Sequence, residues 1–310
     1  MAIVKTDVPM TSRLCSETID ALVARFPSCR SEVLTLTAYG RPVKTLVVGS
    51  GERNVLFTAA HHANEWITTP LLLKFGEELA TAIETGGKIW GVEGRTIGEL
   101  VTVHMVPMVD PDGVDLVTGA IQPGSEEFAA AVRLAENYPQ IPFPDGWKAN
   151  LLGVDLNLQY PAGWLTAREI KFAAGFTLPG PRDYVGRAPL NQLETRALAE
   201  YTRRVDPRVV LAYHTQGKVI YWQFRDYEVE GARELAEEFA RVSGYSMEDT
   251  PYESSFAGYK DWFIQYFRRP GFTIEAGSGE NPLPIEQFDE IYRDNLGILV
   301  TAALGLPGGA

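Results

Sequence analysis

No apolar run of about 18 residues occurs anywhere in these 310 residues, so the sequence offers no membrane-spanning helix. Cysteine is nearly absent. Cys15 and Cys29 lie near the ends of one expected helix, and a disulfide framework is not expected from them. Positive charge is also short: 28 Lys and Arg against 40 Asp and Glu give a formal net charge of -12. That balance argues against nucleic acid and anionic membrane surfaces as partners, while a local basic patch stays compatible with a small anionic substrate. There is no Gly-x-Ser-x-Gly elbow, and neither cysteine lies on a nucleophile turn, which removes serine and cysteine hydrolase readings. The opening stretch Met1–Pro9 carries no apolar run of signal-peptide length, so a cytoplasmic, reducing setting is expected. Internal repeats and low-complexity tracts are missing as well.

What is present is a chain 45% apolar, enough to bury a large core. Thr11 or Ser12 can cap a helix running to about Arg25, with Ile19, Leu22, Val23 and Phe26 on one face. Strands are expected at Glu32–Tyr39, Val43–Gly49, Val55–Ala59, Val101–Val109, Val209–Tyr213, Val219–Tyr221 and Gly271–Glu275. Helices are expected at about Ile67–Glu84, Asn191–Val205, Ala232–Ser243 and Ile285–Leu304. Residues 117–152, rich in Pro and Gly around a helical run at Glu126–Glu136, read as a long surface excursion. The alternation of strands and helices implies one α/β domain with a twisted mixed sheet flanked by helices. Residues 1–34 are expected as a helical segment packed on a catalytic domain spanning 35–310.

The stretch Ala60-His61-His62-Ala63-Asn64-Glu65-Trp66 sits where an expected strand ends and a helix begins. Imidazole nitrogen and carboxylate oxygen are both donors that zinc accepts, and a catalytic site keeps one position open. His62 and Glu65 are therefore candidate metal ligands, with His61 as the local rival. The third ligand must come from a distance, and His214, at the end of Val209–Tyr213, is the candidate. His104, inside an apolar strand, reads as a satisfied core histidine. Glu275 ends Gly271–Ile274 ahead of Ala276-Gly277-Ser278-Gly279 and is either a general base or a solvated strand-end carboxylate. Glu280 and Glu253 are its loop rivals.

His62-Ala63-Asn64-Glu65-Trp66-Ile67-Thr68, Asp110-Pro111-Asp112-Gly113, Gly153-Val154-Asp155-Leu156-Asn157, Tyr213-His214 and Phe272-Thr273-Ile274-Glu275 resemble, in order, the motifs of the zinc carboxypeptidase family. The resemblance implies one Zn²⁺ per chain on His62, Glu65 and His214, with Glu275 as general base and then acid. It implies that Asp155 accepts the other ring N–H of His62, and that the fold is a twisted mixed sheet flanked by helices. Lys148 stands where the family usually has the Arg that polarises the scissile carbonyl. Its alternative reading is a solvated loop lysine. Asn157 is followed by Leu158, where most members have an Arg that joins the Asn in clamping a peptide's C-terminal carboxylate.

Two loops, Gly153–Trp164 and Pro181–Gly186, are similar to bacterial γ-D-glutamyl-diaminopimelate peptidases, which implies cell-wall peptides as substrate. Lys260, in Gly258-Tyr259-Lys260-Asp261-Trp262, aligns with the floor of the family's specificity pocket and is expected to face a carboxylate on the released residue. Arg182 or Arg168 stands as the replacement for the missing clamp, and Tyr252 lies near the family's substrate-capping tyrosine. The expected substrate-binding set is thus Asn157, Lys260, Tyr252 and Arg182, acting on a small peptide. A conventional carboxypeptidase for acidic C-terminal residues, a zinc N-acyl amino acid deacylase, and an inactive peptide-holding scaffold remain as alternatives. Protein partners are not legible.

Overall fold

The parallel neighbours at the middle of the sheet all end at one edge, and this is what assembles the site. The computed structural model describes residues 2–305. Its strands are β1 (Cys29–Arg30), β2 (Val33–Leu36), β3 (Pro42–Lys44), β4 (Leu46–Val48), β5 (Arg53–Ala59), β6 (Lys88–Ile89), β7 (Val92–Glu93), β8 (Val101–Val106), β9 (Val210–His214), β10 (Val219–Tyr221), β11 (Ser246–Glu248) and β12 (Gly271–Glu275). Eight of them form one mixed sheet in the order β1-β4-β8-β5-β9-β12-β10-β11. The pairs β5·β8, β5·β9 and β9·β12 are parallel, while β4·β8 and β10·β12 are antiparallel.

The helices are α1 (Ser12–Arg25), α2 (Thr68–Thr85), α3 (Gly94–Leu100), α4 (Pro111–Val117), α5 (Glu126–Ala135), α6 (Trp164–Ala173), α7 (Leu193–Val205), α8 (Ala232–Ser243), α9 (Tyr259–Phe267) and α10 (Phe288–Leu304). They cover both faces of the sheet, so its central strands are apolar on both sides rather than alternating. Val55, Phe57, Leu211 and Tyr213 face the core shared with α1, α2, α8 and α10. Leu56, Val210 and Ala212 face the core shared with α6, α7 and α9. A satellite cluster of Leu116, Ile121, Ala131 and Trp147 sits beneath the 117–152 excursion and gives it a core of its own. No helix among the described residues is long and apolar enough to cross a membrane.

Several expectations change. The strand expected at Val43–Gly49 divides at Thr45: β3 pairs with β2 in a separate two-stranded sheet, and β4 joins the main one. Thr45 makes the break by turning its N–H to Glu32 O at 3.0 Å. The strand expected to reach Val109 stops at Val106, because Val109 N and Asp110 N bond back to Ala59 O and Ala60 O. Helices α3, α4, α6 and α9 and strand β11 were not expected. Residues 1–34 supply α1 to the principal core and β1 to the main sheet, and β2 runs across the 34/35 boundary.

Candidate active site

His62 and Glu65 sit on the loop between β5 and α2. Thr68 fixes this loop: its hydroxyl accepts from Ala60 N–H at 3.0 Å and donates to Glu65 O at 2.7 Å. Ala60 takes a positive φ of 48° to make the turn, an uncommon conformation for a residue with a Cβ. Ala63 N–H bonds Lys148 O at 3.1 Å, tying the loop to the far wall. His214 closes β9, and the β9·β12 register sets Glu275 directly opposite it.

The three expected ligands converge. His62 Nδ1 lies 2.9 Å from Glu65 Oε1, His214 Nδ1 lies 2.8 Å from Glu65 Oε2, and the two Nδ1 atoms are 3.2 Å apart. Donor atoms of these residues all fall within 4.8 Å of one another, in a group that can hold a metal ion. Two imidazoles and a carboxylate crowding one point are the donor set of a catalytic zinc site, so the residues fit the ion. Asp155 Oδ1 sits 3.2 Å from His62 Nε2, which directs Nδ1 toward the shared point. Burial alone would lower the basicity of His62, but the carboxylate of Glu65 holds it up at about 9. Metal uptake therefore has to displace a proton there. Burial opposes the charge on Glu65 too, yet His62, Lys148 and His214 keep its carboxyl well below the usual range.

His61 is the excluded rival. It is buried behind His214, its ring stacked at 5.7 Å, and its Nε2 lies 3.2 Å from Tyr160 Oη. His104 is indeed internal, 2.7 Å from Tyr201 Oη and 3.2 Å from Asn54 Oδ1. Asp110 caps α4 by accepting from Gly113 N–H at 3.0 Å, with Pro111 in the first turn. A Cβ at Gly113 would lie 2.2 Å from Asp110 Oδ2 and 2.5 Å from Ala149 O, so this motif is architectural.

A cavity of about 930 Å³ opens over the ligands and is lined by Lys148, Asn157, Arg182, Lys260 and Glu275, among others. Burial, reinforced by Glu65, pushes the Glu275 carboxyl up to about 8. Lys148 Nζ donates to Glu65 Oε1 at 2.8 Å. Asn157 Oδ1 accepts from Tyr259 N–H at 3.0 Å, which leaves its Nδ2 3.5 Å from His214 Nε2. Lys260 reaches Gln223 O and lies 2.7 Å from Asp261 Oδ1, with both side chains nearly inaccessible at 5% and 3% exposure. Asp261 Oδ1 has no polar partner other than Lys260 among the described residues, while Oδ2 accepts from Gly258 N–H at 3.2 Å. Leu158 takes its place in the cavity lining.

Two expected residues lie elsewhere. Tyr252 is 63% exposed and packs edge-on against Phe256 at 5.2 Å, while Pro251 and Ser254 line the cavity. Arg168 rests over the Phe172 ring at 4.8 Å and is absent from the lining. Lys171, Asp183 and Asp261 are lining residues that the sequence reading did not single out. Lys171 was hidden because α6 was not expected.

Comparison with known proteins agrees with this geometry. The zinc carboxypeptidase family model matches residues 15–297. The chain is 43% identical over 282 residues to gamma-D-glutamyl-L-diamino acid endopeptidase 1 of Lysinibacillus sphaericus, covering 91% of this chain and 69% of that protein. It is 37% identical over 280 residues to the uncharacterized protein YqgT of Bacillus subtilis, covering 88% of this chain and 71% of that one. Among solved structures, bovine thrombin-activatable fibrinolysis inhibitor superposes with a TM-score of 0.72 at 14% identity, covering 96% of this chain and 97% of its own. Murein-tripeptide amidase MpaA of Escherichia coli O157 gives a TM-score of 0.52 at 18% identity, covering 90% and 93%. These two likenesses carry the fold alone. The converging His62, Glu65 and His214, the mixed sheet beneath them and the family match over most of the chain make this protein a member of the zinc carboxypeptidase family, a zinc metallopeptidase.

Proposed function

We propose that the enzyme hydrolyses the amide bond between a γ-linked D-glutamyl residue and a diamino acid such as diaminopimelate in small cell-wall peptides. The observation that carries this reading is the buried Lys260–Asp261 pair in the cavity. Its opposite charges lie side by side, and Asp261 Oδ1 has no polar partner but Lys260 among the described residues. The far end of a diamino acid is zwitterionic, so its carboxylate suits Lys260 and its ammonium suits Asp261. The relative named as a gamma-D-glutamyl-L-diamino acid endopeptidase supports the same reading. A conventional carboxypeptidase for acidic C-termini fits less well, because the charge of Lys260 is already balanced and Leu158 offers no fork to a terminal carboxylate.

His62, Glu65 and His214 would hold one zinc ion per chain. Zinc, when bound, supplies a Lewis acid that lowers the pKa of water toward neutrality and polarises the carbonyl. Glu275 accepts the proton of the attacking water as its oxygen bonds to the amide carbon, then delivers that proton to the leaving nitrogen as the C–N bond breaks. Lys148 contributes positive charge beside the developing oxyanion. Asp155 keeps His62 in the required tautomer. Asn157 fixes the segment that carries Lys260 by bonding Tyr259 N–H. Tyr252, on the outer side of the short helical turn at the rim, covers substrate only if that turn shifts inward.

Residues 1–34 belong to this reading as a structural part and 35–310 as the catalytic part. Cys15 and Cys29 are both free and buried, and burial pushes each thiol up to about 12, so neither is a reactive nucleophile; a cytoplasmic setting is part of this reading. The test is release of diaminopimelate from L-Ala-γ-D-Glu-meso-diaminopimelate by zinc-loaded protein, with Glu275→Gln as control. Release that vanishes in the control is expected. Cleavage of α-linked acidic dipeptides alone would overturn the substrate assignment.

A further inference from the structure

The cavity distributes its charges unevenly. Lys148 is matched by Glu65, and Lys260 by Asp261. Lys171 and Arg182 instead share a single carboxylate: Lys171 Nζ lies 2.6 Å from Asp183 Oδ1, and Arg182 Nε lies 2.7 Å from Asp183 Oδ2. Both cations thus share Asp183, while Asp155 beside them is turned to His62 and to Asp183 N–H. Arg182 uses only Nε on Asp183, so its two terminal nitrogens, the half of the fork that binds a carboxylate side-on, make no hydrogen bond among the described residues. Lys171 is well buried at 14% exposure, whereas the Arg182 side chain is 40% exposed and reaches the open space.

The backbone fixes where this wall lies. Pro181 O accepts from both Lys148 N and Ala149 N, at 2.7 and 2.9 Å. Asp155 N donates to Tyr184 O, and Asp183 N donates to Asp155 Oδ2. Arg182 and Asp183 are therefore pinned between Lys148 and Asp155. This wall lies beside Lys148, the residue placed next to the scissile carbonyl, whereas Lys260 belongs to the wall built by Asn157 and Tyr259.

We propose that Lys171 and Arg182 form a carboxylate subsite for the residue on the acyl side of the scissile bond. This rests on the reading of the enzyme as a γ-glutamyl amidase. A γ-linked glutamyl residue donates its side-chain carbonyl to the scissile amide and leaves its α-carboxylate free, a short flexible reach from Lys148. An α-linked peptide with a neutral residue there has no charged group at that point. The subsite thus selects an acyl-side glutamyl residue through its free carboxylate.

The test compares L-Ala-γ-D-Glu-meso-diaminopimelate with the same tripeptide carrying an α-carboxamide. Zinc-loaded wild type is expected to favour the carboxylate in kcat/KM by on the order of 10–100-fold, the worth of a charged hydrogen-bonded pair. Arg182→Gln and Lys171→Met are expected to erase that preference, read as the ratio of the two kcat/KM values within each variant. Calorimetry with L-Ala-γ-D-Glu and its α-carboxamide on the same proteins reads the subsite without turnover. Hydrolysis of both tripeptides at equal rates, or equal losses on both in Arg182→Gln, would overturn the subsite. A binding preference that Arg182→Gln abolishes, with neither tripeptide cleaved, would overturn the amidase reading and leave the subsite standing. Cleavage of neither tripeptide together with no binding preference would overturn both.

Discussion

Asp155 and His62 are joined through the imidazole nitrogen that faces away from the metal ligands, with Oδ1 3.2 Å from Nε2. Burial works against the Asp155 carboxylate, yet His62 and Lys148 hold it below the ordinary carboxylate range. The pair explains how a sequence distance of 93 residues sets the tautomer of one ligand. Asp155→Asn is expected to weaken zinc binding about 10–100-fold with the fold intact. Competition with a chromophoric chelator measures it; unchanged affinity would remove Asp155 from this role.

Glu275→Gln should retain zinc and lose about 10²–10⁴-fold in kcat, the usual worth of a positioned acid–base group. Its side chain stands opposite His214 across β9·β12 and is not in the ligand cluster. Metal content by emission spectroscopy beside steady-state rates checks both halves. A zinc-free variant would mean that Glu275 serves the metal instead.

Glu194 supplies a pH dependence remote from the metal. Burial, aided by Asp112, raises its carboxyl to about 7, although Asn150 Nδ2 donates to it weakly at 3.4 Å. The folded chain therefore holds a proton that the unfolded chain releases near pH 4.5. The resulting stability is fully present below about pH 4.5 and is lost as pH rises through about 7, a change on the order of 3 kcal/mol. Glu194→Gln should flatten this slope, so that its melting temperature gains on wild type between pH 5 and 8. A wild-type melting temperature that instead rises relative to the variant between pH 5 and 8 would give the opposite sign and refute the assignment.

Lys260 and Asp261 stabilise each other in a nearly inaccessible position. Lys260→Met leaves a buried carboxylate without its partner and should cost about 3–5 kcal/mol. The double change Lys260→Met/Asp261→Asn should recover much of that loss, while both variants lose preference for a zwitterionic released residue. Chemical denaturation and a panel of leaving residues report on the two effects. A double variant as unstable as the single one would show that the pair is not coupled.

The sequence by itself determined the chemistry. Strand periodicity, which is local, put His62, Glu65, His214 and Glu275 at strand ends or on the turn after one, and the ordered motifs, by resemblance, gave them as candidate ligands and base. The layering of helices on a mixed sheet was legible for the same reason. Only the tertiary structure decided which charges remain available. Lys260 reads as a free cation in sequence, yet folding sets it against its neighbour Asp261 and the carbonyl of Gln223. Arg182 reads as one loop cation among several until α6 delivers Lys171 to the same carboxylate. Tyr252, near the family's capping position, and Arg168, a candidate for the missing clamp, pack instead on Phe256 and Phe172. The division has a physical reason. Ligand identity is a property of single residues, whereas the net charge of a cavity wall is a sum over elements brought together by packing, and no local pattern encodes that sum.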